Sequence, residues 1–137
     1  MLLEIDHHSG QPIYRQVIEQ IRRQIMAGQL GQGEQLVSVR DLAGQLNVNP
    51  MTISKAYSLL EVEGLVERRR GVGLFVAKLA KDKTDREKEK LLAEAMRKAA
   101  AAAVQFGVSR KKAAEMLGRL YGLYGKYDSR SRSDSND

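Results

Sequence analysis

The chain lacks cysteine and tryptophan, and its 137 residues include only two prolines and two phenylalanines. Without cysteine there is neither a disulfide framework nor thiol chemistry, and a reducing cytoplasm is the default compartment. No apolar run approaches the roughly 18 residues of a membrane span, and the early Glu4 and Asp6 are unlike a signal peptide. No membrane association is therefore expected. Histidine is scarce too. His7 and His8 both fall in the short lead-in from Leu2 to Gly10; sequence neighbours make a poor chelate, nothing else completes a site, and no metal is expected. The pair Gly71-Val72-Gly73 stands between two strand-like runs, whereas a phosphate-cradling loop stands between strand and helix, so no nucleotide cofactor is expected. With no histidine outside the lead-in and no paired carboxylates on converging elements, an enzyme is rejected.

What is present is positive charge: +6 net, with a pI near 9.7. That balance favours an anionic partner. Its distribution is uneven. Residues 1–80 carry nine basic against eight acidic side chains, a net +1, while residues 81–137 carry fourteen against nine, a net +5. Bulk charge does not mark the first half as a binding surface, so local pattern must.

The clearest local pattern runs from Val48 to Leu65. Asn49 is a good N-cap and Pro50 suits the first helical position, where its missing N–H costs nothing. Ile53, Ala56, Tyr57 and Leu60 form one apolar stripe, and Gly64 ends the helix as a C′ residue. Opposite the stripe lie Met51, Thr52, Ser54, Lys55 and Ser58. A surface helix needs only charge for solubility; short hydroxyls and one lysine suit close approach to a polyanion. Upstream, Pro12 is expected at the first position of a helix with the stripe Ile13, Tyr14, Val17, Ile18, Ile21 and Ile25, stopped by Gly28. Gly31 to Val37 reads as a turn leading into a few extended residues. Ser38, with Asp41 three residues on, opens a short helix with Val39, Leu42, Ala43 and Leu46 inside. Only Asn47 and Val48 separate it from the next cap, the spacing of a helix-turn-helix. Leu65-Val66 and Leu74-Phe75-Val76 are strand-like around a turn at Arg70–Gly73, which makes a wing.

From Lys81 the composition changes. Residues 84–106 and 109–125 read as two helices, the first dense in i,i+4 charge pairs. Their stripes are Leu92, Ala95, Met96, Ala99, Ala103 and Phe106, then Ala113, Met116, Leu117, Leu120 and Tyr124. Two helices are too small to bury both stripes, so an interface between copies is expected from Met96, Ala99, Ala103, Phe106, Leu117, Leu120 and Tyr121. The alanines would allow a close crossing. The Ser-rich stretch 128–137 has nothing to bury and is expected to be disordered.

A winged helix-turn-helix lays its second helix in the major groove of DNA, base edges toward that helix's first turn. Thr52, Ser54 and Ser58 are short enough for this, and Lys55, Arg40 and Arg68-Arg69-Arg70 can meet phosphates. Four blocks add a resemblance: Gln11–Val17, Gly33–Ala43, Val48–Tyr57 and Glu63–Val76. In order and spacing they resemble the DNA-binding domain of GntR-family bacterial transcription regulators, over residues 11–77. The short remainder resembles the YtrA-type subfamily, whose helical appendage dimerises. The resemblance implies DNA contact from Arg40 and Thr52, with Gly71 and Gly73 letting the wing approach the minor groove. Many members have Arg where Pro50 stands and another basic residue near Ser54, so base contact here falls to Met51, Thr52, Ser54 and Lys55.

The expected architecture is mainly α (α+β): a winged helix-turn-helix domain over 1–80, a helical dimerisation appendage over 81–127, and a tail over 128–137. The expected function is a homodimeric, cytoplasmic repressor, nucleoid-associated when bound, acting on a palindromic operator of a neighbouring operon, often one for an ABC transporter in that subfamily. The DNA-binding set is Ser38, Arg40, Asn49, Met51, Thr52, Ser54, Lys55, Arg69, Arg70, Gly71 and Gly73. No small-molecule effector can be named, though the appendage could enclose a small inducer pocket. The competing reading is a winged helix used for protein–protein contact, its basic wing merely solvated.

Overall fold

Residues 1–128 are described by the structure, a computed structural model. Helix α1 spans Ile13–Met26. Pro12 is its N-cap rather than its first residue: ψ is 143°, and its carbonyl accepts from Arg15 and Gln16. The fixed φ of proline suits either position; the extended ψ decides. Val17, Ile18, Ile21 and Met26 are buried, and so is Gln16. A buried amide must be satisfied, and Gln16 accepts from the Asp6 amide at 2.8 Å and donates to the Asp6 and Gln11 carbonyls at 2.9 Å. Gln20 exchanges both backbone bonds with Glu4, and Gln24 donates to Leu2. Three glutamines at four-residue spacing thus grip every second residue of the extended lead-in. Four helical residues rise about 6 Å and two extended residues about 6.6 Å, so the two periods match.

Helix α2 spans Val39–Leu46 and α3 spans Pro50–Val62. Ser38 caps α2, accepting from Asp41 N at 3.1 Å. The turn between the helices depends on Asn47 in the left-handed region at φ 57°, with Val48 N bonded back to the Ala43 carbonyl. Helix α3 ends the same way. Gly64 lies at φ +81°, its amide bonds to Glu61 O, and Leu65 N bonds to Leu60 O, a Schellman closure. The positive φ favours glycine there, and a Cβ would also fall 2.9 Å from Lys83 Nζ, the movable end of a side chain that donates to the Glu63 carbonyl.

Strands β1 (Val66–Arg69) and β2 (Gly73–Val76) pair antiparallel, Val66 opposite Val76 and Arg69 opposite Gly73. Leu65, expected to begin the first strand, is instead used by the helix closure. The extended residues after Gly33 add to the free edge of β2: Val76 N bonds to Glu34 O and Leu36 N to Leu74 O, both 2.8 Å. The core joins α1, α2, α3 and the hairpin through Val17, Ile21, Leu42, Ile53, Leu60, Leu65 and Val66. This is the expected winged helix-turn-helix.

Helix α4 spans Lys81–Gln105 and α5 Arg110–Asp128. The described chain forms two compact units. The first, Met1–Leu91, includes the opening turns of α4, with Leu91 against the core; the second runs from Leu92 onward. In the second, Gly107 at φ +70° ends α4, and Ser109 caps α5 by accepting from Lys112 N at 3.1 Å. No residue of α4 is buried. Among the described residues no helix is long and apolar enough to cross a membrane. Asp128 ends α5; the rest of the tail expectation, 129–137, lies outside the described residues.

Tyr57 ties α3 to the segment before α2, its hydroxyl donating to the Val37 carbonyl at 2.6 Å. Burial pushes that hydroxyl well above the usual tyrosine value. The folded state therefore keeps a proton that the unfolded chain releases, and stability present below about pH 10 falls as pH rises beyond it. Tyr57→Phe should cost about 1 kcal/mol at neutral pH and flatten the alkaline decline, measured by urea unfolding between pH 7 and 11.

Candidate nucleic-acid interface

The first turn of α3 presents the candidate reading surface. Asn49 Oδ1 accepts from Met51 N at 2.8 Å, Pro50 follows with φ already helical, and Ile53 and Ala56 anchor the inner face. Outward stand Met51, 77% exposed, with Ser54, Lys55 and Ser58 also exposed and Thr52 half-buried. Two members of the expected binding set are thus used as caps: Asn49 for α3 and Ser38 for α2. Each cap uses an oxygen lone pair and leaves a donor, the Ser38 hydroxyl proton and the Asn49 side-chain amide N–H, so capping and phosphate contact are compatible.

A shallow cleft brings the three elements to one face. Ser38 and Val39 from the start of α2, Ser54 and Tyr57 from α3, and Arg68, Val72 and Gly73 from the hairpin line it together. Arg40 is exposed in the first turn of α2.

The hairpin register gives the three arginines different surroundings. Arg68 pairs with Glu61 at 3.1 Å. The Arg69 guanidinium lies over the Phe75 ring, 3.9 Å from its centroid. These two residues are diagonal across the ladder, since Glu67 opposes Phe75 and Arg69 opposes Gly73. Arg70 stands exposed at the turn with Gly71. Gly73 lies at φ +141°, which favours glycine, and a Cβ there would displace Gln35 Nε2, 2.9 Å away, from its bond to the Val72 carbonyl. Lys55, on the far flank of α3, lies over the Tyr14 ring at 3.9 Å. Among the described residues Arg40, Lys55, Arg69 and Arg70 form no ion pair. Four cations that no carboxylate pairs make a surface suited to a phosphodiester chain.

Sequence reasoning placed Tyr14 and Phe75 in the core stripe and the second strand, and missed both as partners of cations. Gln35, which braces the wing, was missed as well. The arginine–phenylalanine contact is readable once the hairpin register is fixed; the lysine–tyrosine contact joins residues far apart in the chain and leaves no local signal. In the second unit, the expected interface residues Met96, Phe106, Leu117, Leu120 and Tyr121 are all exposed, Ala99 is exposed and Ala103 half-buried.

Known proteins resemble this chain in sequence and in fold. The profile of the family described as bacterial regulatory proteins, gntR family, matches residues 13–76. The HTH-type transcriptional repressor YtrA of Bacillus subtilis is 35% identical over 116 residues, 85% of this chain and 89% of that protein. Among solved structures, a GntR family transcriptional regulator from Listeria monocytogenes superposes with a TM-score of 0.71 at 27% identity, covering 84% of this chain and 98% of the other. YtrA from Sulfolobus acidocaldarius, a GntR-family transcription factor, gives 0.54 at 28% identity, with 88% and 97% covered.

Proposed function

The chain belongs to the GntR family of bacterial transcription regulators, in its short YtrA-type branch, and on that premise we propose a homodimeric repressor that binds a palindromic operator of a neighbouring operon. One observation carries the DNA surface: the start of α2, Ser54 and Tyr57 of α3, and the wing line a single cleft. Around it Met51, Thr52 and Ser54 read base edges. Arg40, Lys55, Arg69 and Arg70, with the Ser38 hydroxyl and the Asn49 side-chain NH2 as further donors, meet phosphates, and Gly71 and Gly73 bring the wing backbone close. Repression is the reading carried by the likeness to a named repressor that spans most of both chains. The dimer rests on the solvent-facing apolar stripes of α4 and α5. An ABC transporter operon as target, and cytoplasmic, nucleoid-associated residence, follow from the family resemblance.

Footprinting on DNA upstream of the protein's own gene, with heparin as competitor, tests the function. A protected inverted repeat is the expected result. Loss of all binding under heparin would favour the protein-contact reading. On the footprinted site, log affinity should fall against log salt with a slope of about −0.9 per phosphate neutralised. Arg69→Ala with Arg70→Ala should flatten that slope and weaken binding to every sequence alike. An unchanged slope in the double variant would remove the wing from the contact surface.

A further inference from the structure

We propose that Tyr14 is a positioning residue for DNA binding: its ring holds the Lys55 ammonium at the flank of α3, aimed at the phosphate chain and away from the base edges. The inference rests on the reading that Lys55 meets phosphates, and adds what directs it there.

The groove between α1 and α3 contains Tyr14, Glu19, Arg22, Lys55, Leu59 and Glu63. Two carboxylates are therefore near enough to compete for a lysine. Both are engaged elsewhere: Glu63 takes Arg22 through both oxygens, at 2.7 and 2.8 Å, and Glu19 accepts from Gln11 Nε2 at 3.1 Å. Lys55 lies instead over the Tyr14 ring, 3.9 Å from its centroid, well inside the roughly 6 Å range of a cation–π contact. The difference matters chemically. A carboxylate would neutralise the ammonium, whereas a ring attracts it and leaves its charge uncancelled. The ring covers one side of the ammonium and its remaining donors stay open to solvent.

The ring is itself fixed, half-buried and packed against the core cluster. A lysine stem is flexible, and ordering it on DNA costs rotamer entropy. A ring that already confines it reduces that cost at the moment of binding. The direction follows from the packing. Tyr14 belongs to α1, so Lys55 is drawn sideways from the Met51, Thr52 and Ser54 surface toward α1. When a recognition helix lies in the major groove, its flanks face the phosphate walls. Lys55 then supplies sequence-independent affinity, and discrimination rests on Met51, Thr52 and Ser54.

The test uses the full-length protein, the footprinted upstream duplex and a random duplex of equal length. Lys55→Ala should weaken both duplexes by one common factor and reduce the salt slope by about 0.9 per protomer. Tyr14→Leu should weaken both by about two- to tenfold per protomer, the ordering cost of one long side chain. Tyr14→Phe, which keeps the ring, should remain within about twofold of the parent. In the Lys55→Ala background Tyr14→Leu should cost nothing further. Equal losses from Tyr14→Leu in both backgrounds, whether by misfolding or by any route independent of the lysine, overturn the proposal, as does a loss confined to the footprinted duplex. Should Lys55→Ala bind both duplexes like the parent, the failed premise is that Lys55 contacts DNA, and the proposal goes with it.

Discussion

Leu120→Glu should convert the protein to a monomer and lower its affinity for a palindromic operator by about 10²–10⁴-fold, while leaving half-site affinity unchanged. Leu120 is 49% exposed and shares its helix with exposed Met116, Leu117, Tyr121, Leu123 and Tyr124. A contiguous apolar surface of this kind on a single chain marks a contact with another molecule, and a two-fold pair of identical chains is the commonest closed arrangement. In the isolated chain a glutamate there meets water, so stability should change by no more than about 0.5 kcal/mol. Within a dimer built on this stripe, each carboxylate would be driven into apolar contact and lose its hydration without a partner. Linking two half-site contacts through a dimer makes the second contact intramolecular; losing the link removes that advantage. Sedimentation equilibrium reads the assembly, and gel shifts on full and half sites read the affinity. A variant that still sediments as a dimer and binds the full site undiminished would show that this stripe is not the interface. A point substitution is preferable to cutting the chain after Ala80, because Lys83 caps the end of α3 and Leu91 packs on the core.

The recognition helix was legible because all its determinants are local. Asn49, Pro50, the Ile53–Leu60 stripe and Gly64 each act within one turn, and each has the role its residue type implies. The hairpin was legible in outline for the same reason, its glycines falling where the turn and Gln35 demand them. What the sequence hid is what depends on distance. Gln16 looks like a polar interruption of the α1 stripe until the lead-in folds back and occupies its amide. Arg68, Arg69 and Arg70 look equivalent in sequence, yet an ion pair, a ring and open solvent separate them once the register is set. Lys55 could have pointed at bases or phosphates, and only the approach of α1 shows which side attracts it. Pro12 was displaced by one position because proline fixes φ alone and leaves ψ to its neighbours. Capping and periodicity therefore locate the elements, while the partners of the cations come from tertiary packing.

Because α3 supplies both a face of the core and the proposed reading surface, its inner residues govern how much binding-competent protein exists. Leu60→Ala should lower unfolding free energy by about 2–5 kcal/mol, a large part of the roughly 5–15 kcal/mol that holds a domain together. Leu60 is fully excluded from solvent, and its carbonyl accepts the Leu65 amide that closes the helix before the wing. Removing three side-chain carbons there leaves a void among Ile53, Leu65 and the other core residues, and the glycine closure beside it limits backbone collapse into the space. Ser58→Ala, two residues away on the exposed face, should change stability by no more than about 0.5 kcal/mol. The two variants also differ in how binding is lost. Leu60→Ala should reduce the fraction of protein able to bind, with discrimination between operator and random duplex preserved in the folded fraction. Urea unfolding followed by circular dichroism measures the first effect, and active-site titration with operator DNA separates it from the second. A Leu60→Ala protein within 1 kcal/mol of the parent would mean that the wing and α1 hold α3 in place without its core contacts.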